Sequence, residues 1–169
     1  AGTRDGIDDL GIWGATYRDG AWSEPRILVD VDEGGATCRN PVLFRPKDGP
    51  LCLFYKVGRD PETWRGVVQF SDDGGETWRD RTFLPENFIG PVKNKPVQLP
   101  DGSILAPSST EHAGWRVHME RYASPTAGFW RSAALNSEEE GGAIQPSILF
   151  HSDGRLQAIC RNRDVNGKL

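Results

Sequence analysis

NPVLFRPKDGPLCLFYKVG, residues 40–58, is the stretch whose reading decides the fold. A proline leads an apolar run, an Asp-Gly pair breaks it, and a second apolar run follows. Asp-Gly between apolar runs marks a hairpin, because both residues tolerate the positive φ that a type I′ turn requires. The same plan recurs in KPVQLPDGSILAPSSTE (95–111) and QPSILFHSDGRLQAICRNR (145–163). The leading prolines Pro41, Pro96 and Pro146 stand 55 and 50 residues apart. Third strands are expected near 64–70 and 115–122, and fourth strands near 77–84 and 128–135. Four short antiparallel strands repeated about every 50 residues are the sequence form of a β-propeller blade. A two-sheet sandwich would explain the strands and turns but not the period.

No window of a dozen residues carries a 3.6-residue apolar period, so the chain reads as all-β. Its 169 residues divide into an outer half blade over 1–35, a blade over 36–89, a second blade over 90–139 and an inner half blade over 140–169. About three blades are therefore present, whereas propellers usually close with about four to eight. The expectation is a portion of a longer protein, or self-association with a second copy that completes the ring.

A net charge of −4 and a pI near 5.4 argue against nucleic acid as the partner. No apolar run approaches the roughly 20 residues of a membrane span, so none is expected. Cys38, Cys52 and Cys160 lack CxxC spacing and fit neither a disulfide framework nor a zinc site; buried free thiols are expected. Neither a metal nor a cofactor is expected. The chain begins at Ala1 and contains no Asn-x-Ser/Thr sequon, which leaves both a cytoplasmic and a secreted address open.

SDDGGETW (71–78) has the composition of an acidic site, yet its residue types suit a turn. Ser and Asp side chains can bond the backbone of their own loop, and Gly permits a left-handed conformation. Thr re-enters a strand and Trp drops into the core between neighbouring sheets. Asp72, Asp73 and Glu76 offer oxygens for calcium but lack the longer ladder of an EF-hand loop. The octapeptide fits Ser-x-Asp-x-Gly-x-Thr-Trp, the Asp-box, with Ser71, Asp73, Gly75, Thr77 and Trp78 in its fixed places; SPTAGFW (124–130) resembles a decayed copy. With WSEP (22–25), GPVKNKPVQLPDGSILAPSSTE (90–111), WRVHMER (115–121) and AIQPSILFHSDGRLQAICRNR (143–163), the chain resembles the exo-sialidase branch of the sialidase-like (BNR-repeat) superfamily.

That resemblance implies a propeller of six blades when complete. It also implies a glycoside hydrolase that removes a terminal sugar from an acidic glycan. Fold and function separate easily in such superfolds, so a non-catalytic carbohydrate-binding propeller and a protein-interaction scaffold are the alternatives. In a propeller the innermost strands line the funnel, and here they carry the leading prolines. CRNP (38–41) matches the sialidase Phe-Arg-Ile-Pro motif at Arg and Pro, which implies Arg39 as a carboxylate clamp, a role suited to a bidentate guanidinium. Lys93, Asn94, Lys95 and Gln145 lead the other inner strands, and Arg161 and Arg163 end the last second strand; these are candidate binding residues. Glu111, at the end of a second strand, and Asp60, after the first hairpin, are the catalytic candidates. The resemblance also implies a Tyr nucleophile, but Tyr17, Tyr55 and Tyr122 all read as strand packing. Arg116, His118 and Glu120 share one face of their strand and read as a surface ion-pair row.

Overall fold

The computed structural model describes residues 10–30, 37–79, 81–137 and 141–163. The expected blade boundaries at 35–36 and 139–140 lie outside the described residues. Every described element is a strand and every ladder is antiparallel. The first unit is a hairpin: β1 (Ile12–Gly14) pairs with β4 (Arg26–Val29), and β2 (Tyr17–Arg18) with β3 (Ala21–Trp22). A four-stranded sheet follows in the order β5 (Cys38–Phe44), β6 (Leu51–Val57), β7 (Arg65–Ser71), β8 (Thr82–Phe83). A second sheet has the order β9 (Val97–Gln98), β10 (Ile104–Thr110), β11 (Arg116–Tyr122), β12 (Trp130–Arg131). The last pair is β13 (Gly142–Phe150) with β14 (Leu156–Arg163). The hairpin meets β5, and β13 packs on β10 and β11, so successive sheets stack as propeller blades do.

The Asp-Gly turns are of three kinds, and at Asp48-Gly49 only the glycine has positive φ, 153°. At Asp19-Gly20 both residues have positive φ, 53° and 86°, as a type I′ turn demands. At 101–102 and 153–154 only Gly102 and Gly154 do, and Gly154 N donates to the His151 carbonyl while His151 N donates to that of Arg155. Gly102 N bonds Leu99 O and Leu99 N bonds Ser103 O in the same way. These are type I turns closed by a left-handed glycine, with Pro100 at the position where its fixed φ fits. The expected type I′ geometry therefore holds at the first turn only.

SDDGGETW forms a closed turn between β7 and β8. Asp73 accepts from the Thr77 amide at 3.0 and 3.1 Å and from the Thr77 hydroxyl at 2.5 Å, while Ser71 Oγ donates to it at 2.7 Å. Ser71 Oγ in turn accepts from Gly75 N at 2.7 Å. These donors hold the Asp73 carboxyl well below the usual carboxylate range, the Thr77 hydroxyl contributing most. Trp78 packs with Ile12, Tyr55 and Val67 between the hairpin and the first sheet.

β6 is buried on both faces. Leu53, Tyr55 and Val57 face the hairpin, whereas Cys52 and Phe54 face the second sheet with Val42, Val68, Ile104, Ala106 and Tyr122. Phe54 and Tyr122 stack with centroids 6.2 Å apart, and burying Phe54 alone stabilises by about 1.5–3 kcal/mol. Farther along the same seam the lining turns polar. Lys56 continues the Cys52–Phe54 stripe, and His118 and Glu120 continue the Tyr122 stripe; all three are 1% exposed or less. The surface ion-pair row expected for His118 and Glu120 is thus overturned. Alternation placed them on one face correctly, but that face lies against the neighbouring sheet. Of the cysteines, Cys38 and Cys52 are buried free thiols and Cys160 is exposed, against expectation, because β14 is open to solvent on both faces. Burial pushes the Cys52 thiol up to about 12.

The inner strands are irregular at one repeat position. The β5–β6 ladder slips between Arg39 and Val42, and the β13–β14 ladder slips between Ile144 and Ser147. Asn40 and Gln145, each just before a leading proline, take φ of 51° and 57°. In the second sheet the strand expected from Lys95 is reduced to Val97–Gln98, with Val92 still bonded to Pro107 O and Lys93 at φ 68°. Proline cannot donate to a ladder and is confined to edges and bulges, so each leading proline sits where its inner strand is broken.

Candidate functional site

Two of these breaks, in β5 and β13, put their strand starts at one cavity of about 610 Å³, within the range of small-ligand sites. Cys38, Arg39 and Asn40 enter from β5, Ile144 and Gln145 from β13, and Arg161 from β14. Arg59, Asp60, Pro61 and Trp64 come from the β6–β7 loop, Glu111 and Trp115 from the β10–β11 loop, and Leu10 and Gly11 from the hairpin. Four successive units of the stack thus contribute. Non-glycine residues with positive φ and bulged strands cluster where backbone is bent to aim side chains, and Asn40 and Gln145 are both of these.

The sequence candidates divide between two places. Arg39, Asp60, Glu111, Gln145 and Arg161 all line the cavity. Lys93 and Lys95 are exposed and stand outside its lining, and Asn94 is half-buried. Asn94 Nδ2 donates to the carbonyls of Gln145 and Pro146 at 2.9 and 3.0 Å, which clamps the bulge of β13 to the break in the second sheet. Tyr17, Tyr55 and Tyr122 do not line the cavity; Tyr55 and Tyr122 are core residues, and Tyr17 is exposed against Trp22. Arg59, Trp64 and Trp115 were not anticipated. They lie on loops; Trp64 and Trp115 each precede a third strand in a Trp-Arg pair (64–65 and 115–116), a recurrence in the repeat that could have found them, whereas Arg59 carries no such mark.

Among the described residues, three guanidinium groups and two carboxylates therefore line one space. Arg161 is stacked over the Trp115 ring at 5.1 Å, an arrangement that orients a planar guanidinium. Asp60 is partly committed: its Oδ1 accepts from Glu62 N, Thr63 N and Thr63 Oγ1 at 3.1, 2.9 and 3.0 Å, capping its own turn. Glu111 is half-buried beside Trp64.

Behind this wall is the polar end of the seam. Glu120 accepts from Ile89 N at 3.1 Å, Gly90 N at 3.0 Å and the Tyr122 hydroxyl, with Ser108 Oγ at 3.0 Å and His118 Nε2 at 3.3 Å. Gly66 makes this possible, since a Cβ there would stand 2.7 Å from the Ile89 carbonyl carbon. Lys56 Nζ is buried without a hydrogen bond, 4.5 Å from the Trp64 ring centroid. Burial pulls the ammonium down to about 8 against the opposing attraction of Glu111 and Glu120. Burial, then Glu120, raises Tyr122 well above the usual phenol range.

A larger cavity, about 860 Å³, lies at the opposite end of the seam beside Trp78 and Phe70. Asp48 and Arg79 are the charged residues of its lining. Size favours that cavity; convergent chemistry favours the one at Arg39. Among the described residues no group of His, Cys, Asp and Glu is arranged to hold a metal ion, and no helix is long and apolar enough to cross a membrane.

Stacked antiparallel sheets, two of them four-stranded, with the bulged inner strands β5 and β13 at one polar cavity, define a β-propeller. The family model described as BNR repeat-like domain matches residues 1–168, and the chain belongs to that family. Two solved structures are similar to it. A protein of unknown function from Dyadobacter fermentans DSM 18053 matches with a TM-score of 0.72 and 17% identity, over 92% of this chain and 52% of that one. The endo-arabinase of Bacteroides thetaiotaomicron VPI-5482 matches with a TM-score of 0.54 and 17% identity, over 86% of this chain and 63% of that one. At such identities the likeness is one of fold, and the chain spans between half and two thirds of the length of these structures. No curated protein sequence matches it.

Proposed function

We propose that the chain is part of a glycoside hydrolase-like propeller whose inner cavity takes the acidic terminal sugar of a glycan, as the sialidase resemblance implies. The observation that carries this reading is the convergence of Arg39, Arg59 and Arg161 with Glu111 on one cavity. A guanidinium is the planar, permanently charged donor suited to a carboxylate, and among the described lining residues three of them stand against two acids. In this reading Arg39 and Arg161 bind the sugar carboxylate, and Gln145 bonds hydroxyls. Glu111 is the acid/base, and Asp60 offers its second oxygen. Cleavage in this reading is of the exo type, as the resemblance implies. Lys93 and Lys95 act through the field they add, with Asn94 as the clamp on β13.

The alternative of a lectin-like propeller draws support from one feature: Asp60 has an oxygen already engaged in its own turn. The deciding assay presents the full-length protein with fluorogenic sialosides and uronic-acid glycosides. Turnover that falls by about a hundredfold in Glu111→Gln supports the hydrolase. Absence of turnover, with acidic glycans retained on an array, moves the reading to recognition without catalysis. Lack of both overturns it.

A further inference from the structure

The inner cavity does not end at Trp64. A second cavity, about 520 Å³, begins at Pro61, Trp64 and Glu111, the three residues it shares with the first, and runs outward between the first and second sheets. Its far wall is built from Glu62, Arg65, Glu86, Asn87, His112 and Arg131. The two spaces differ in charge. Among the described residues three arginines and two acids line the inner one, whereas cations and carboxylates are interspersed in the outer one.

Several groups of the outer wall are held in place. Arg131 Nη1 donates to Asn87 O at 2.9 Å, and Arg65 lies over the Phe83 ring at 4.1 Å. Trp64, at the junction, is fixed from behind by the buried Lys56 ammonium, and its indole N–H is buried, so what the groove meets is the ring rather than the donor. An aromatic plate bordered by carboxylate, amide and guanidinium groups suits a sugar ring, whose C–H face is apolar and whose rim is hydroxyl. A balanced set of charges suits a neutral sugar better than an acidic one.

We propose that the two cavities form one groove for a glycan chain, with the acidic terminal sugar in the inner space and the neutral sugars behind it crossing Trp64 into the outer space. The orientation rests on the function proposed above, while the groove itself rests on the shared wall. Linking two subsites converts the second contact into an intramolecular one, so affinity must grow with chain length.

The test is titration calorimetry with sialic acid, sialyllactose and lactose, and in parallel with glucuronic acid, glucuronyl-xylobiose and xylobiose. The expected result is that the acidic trisaccharide of at least one series binds about tenfold more tightly than its free acid. His112→Ala and Arg131→Gln, both at exposed positions, should erase that gain and leave the affinity for the free acid unchanged. Trp64→Phe should weaken the trisaccharide with an unaltered melting temperature. Equal affinity for acid and trisaccharide in wild type, or a length gain that survives both outer substitutions, would overturn the groove. Binding of a trisaccharide and its neutral disaccharide without the free acid would uphold the groove and overturn the acidic orientation. Binding of none of the six sugars would overturn both.

Discussion

The seam between the two four-stranded sheets has an apolar end and a polar end, built from the same strands a few residues apart. At one end Cys52 and Phe54 of β6 meet Ile104, Ala106 and Tyr122. At the other, Lys56 of the same stripe meets the Ser108–His118–Glu120 group. Packing accounts for the first end. The second end works against burial, because ionisable groups taken out of water lose hydration that only good hydrogen bonds replace. Glu120 has those bonds and Lys56 has none. The polar end is also the one that backs onto the Arg39 cavity, through Trp64 and Glu111. Its chemistry is therefore better understood as serving the cavity than as holding the sheets together.

The largest expected effect compares the two ends directly. Phe54→Ala, which opens a hole in the apolar end, should lower unfolding free energy by about 3–5 kcal/mol. Glu120→Ala should lower it by a similar 3–5 kcal/mol, because it strands two buried amides, the Tyr122 hydroxyl and the Lys56 charge. Denaturant unfolding of both variants checks this, and a loss under about 1 kcal/mol in Glu120→Ala would break the symmetry of the two ends.

The next effect separates Lys56 from its neighbour. Folding lowers its pKa from 10.5 to about 8, so between those values the unfolded chain binds the extra proton. Stability should rise with pH across that window, by up to about 3 kcal/mol, and be lowest relative to Lys56→Met below pH 8. Lys56→Met replaces a group that makes no hydrogen bond, and at pH 7 it should be near neutral or stabilising while flattening the rise. A wild-type curve that stays flat from pH 8 to 10.5 would show that Lys56 is not buried in the way described.

The smallest effect lies at the far end of the blade. The Asp73 carboxyl is depressed by its donors in the folded chain. Its contribution is therefore present above the unfolded carboxylate value of about 4 and lost as pH falls below it. Asp73→Asn should show a shallower acid unfolding profile than wild type and no change in sugar binding. A loss of sugar binding in that variant would connect the octapeptide to the site after all.

How much of this was legible in the chain follows from what a repeat marks. Three Pro…Asp-Gly hairpins announced the blades, and the octapeptide located the turn between β7 and β8. The same hairpins pointed to Arg39, Gln145, Glu111 and Arg161, which meet at one cavity. Alternation told that His118 and Glu120 share a face but not that another sheet covers it. Arg59 lies on a loop outside the repeating pattern, whereas Trp64 and Trp115 recur as Trp-Arg before each third strand, a mark that showed their equivalence but not that both border a cavity. Lys56 did carry a signal: it sits two residues past Phe54 on a stripe that is otherwise apolar, which is an anomaly for a lysine. The breaks in the inner strands were half visible, since the leading prolines forbid a continuous ladder, but the positive φ of Asn40, Lys93 and Gln145 could not be read from residue types.

The central claim is that the strand starts form an anion-binding sugar site with Arg39 as its clamp. The direct measurement is calorimetric titration of sialic and glucuronic acids into wild type and Arg39→Met, with melting temperatures recorded alongside. The account predicts binding of at least one acid to wild type, weakened by about tenfold or more in a variant that the melting curve shows to be folded at the temperature of titration. Equal affinity in both proteins, or binding of neither acid to wild type, would contradict it.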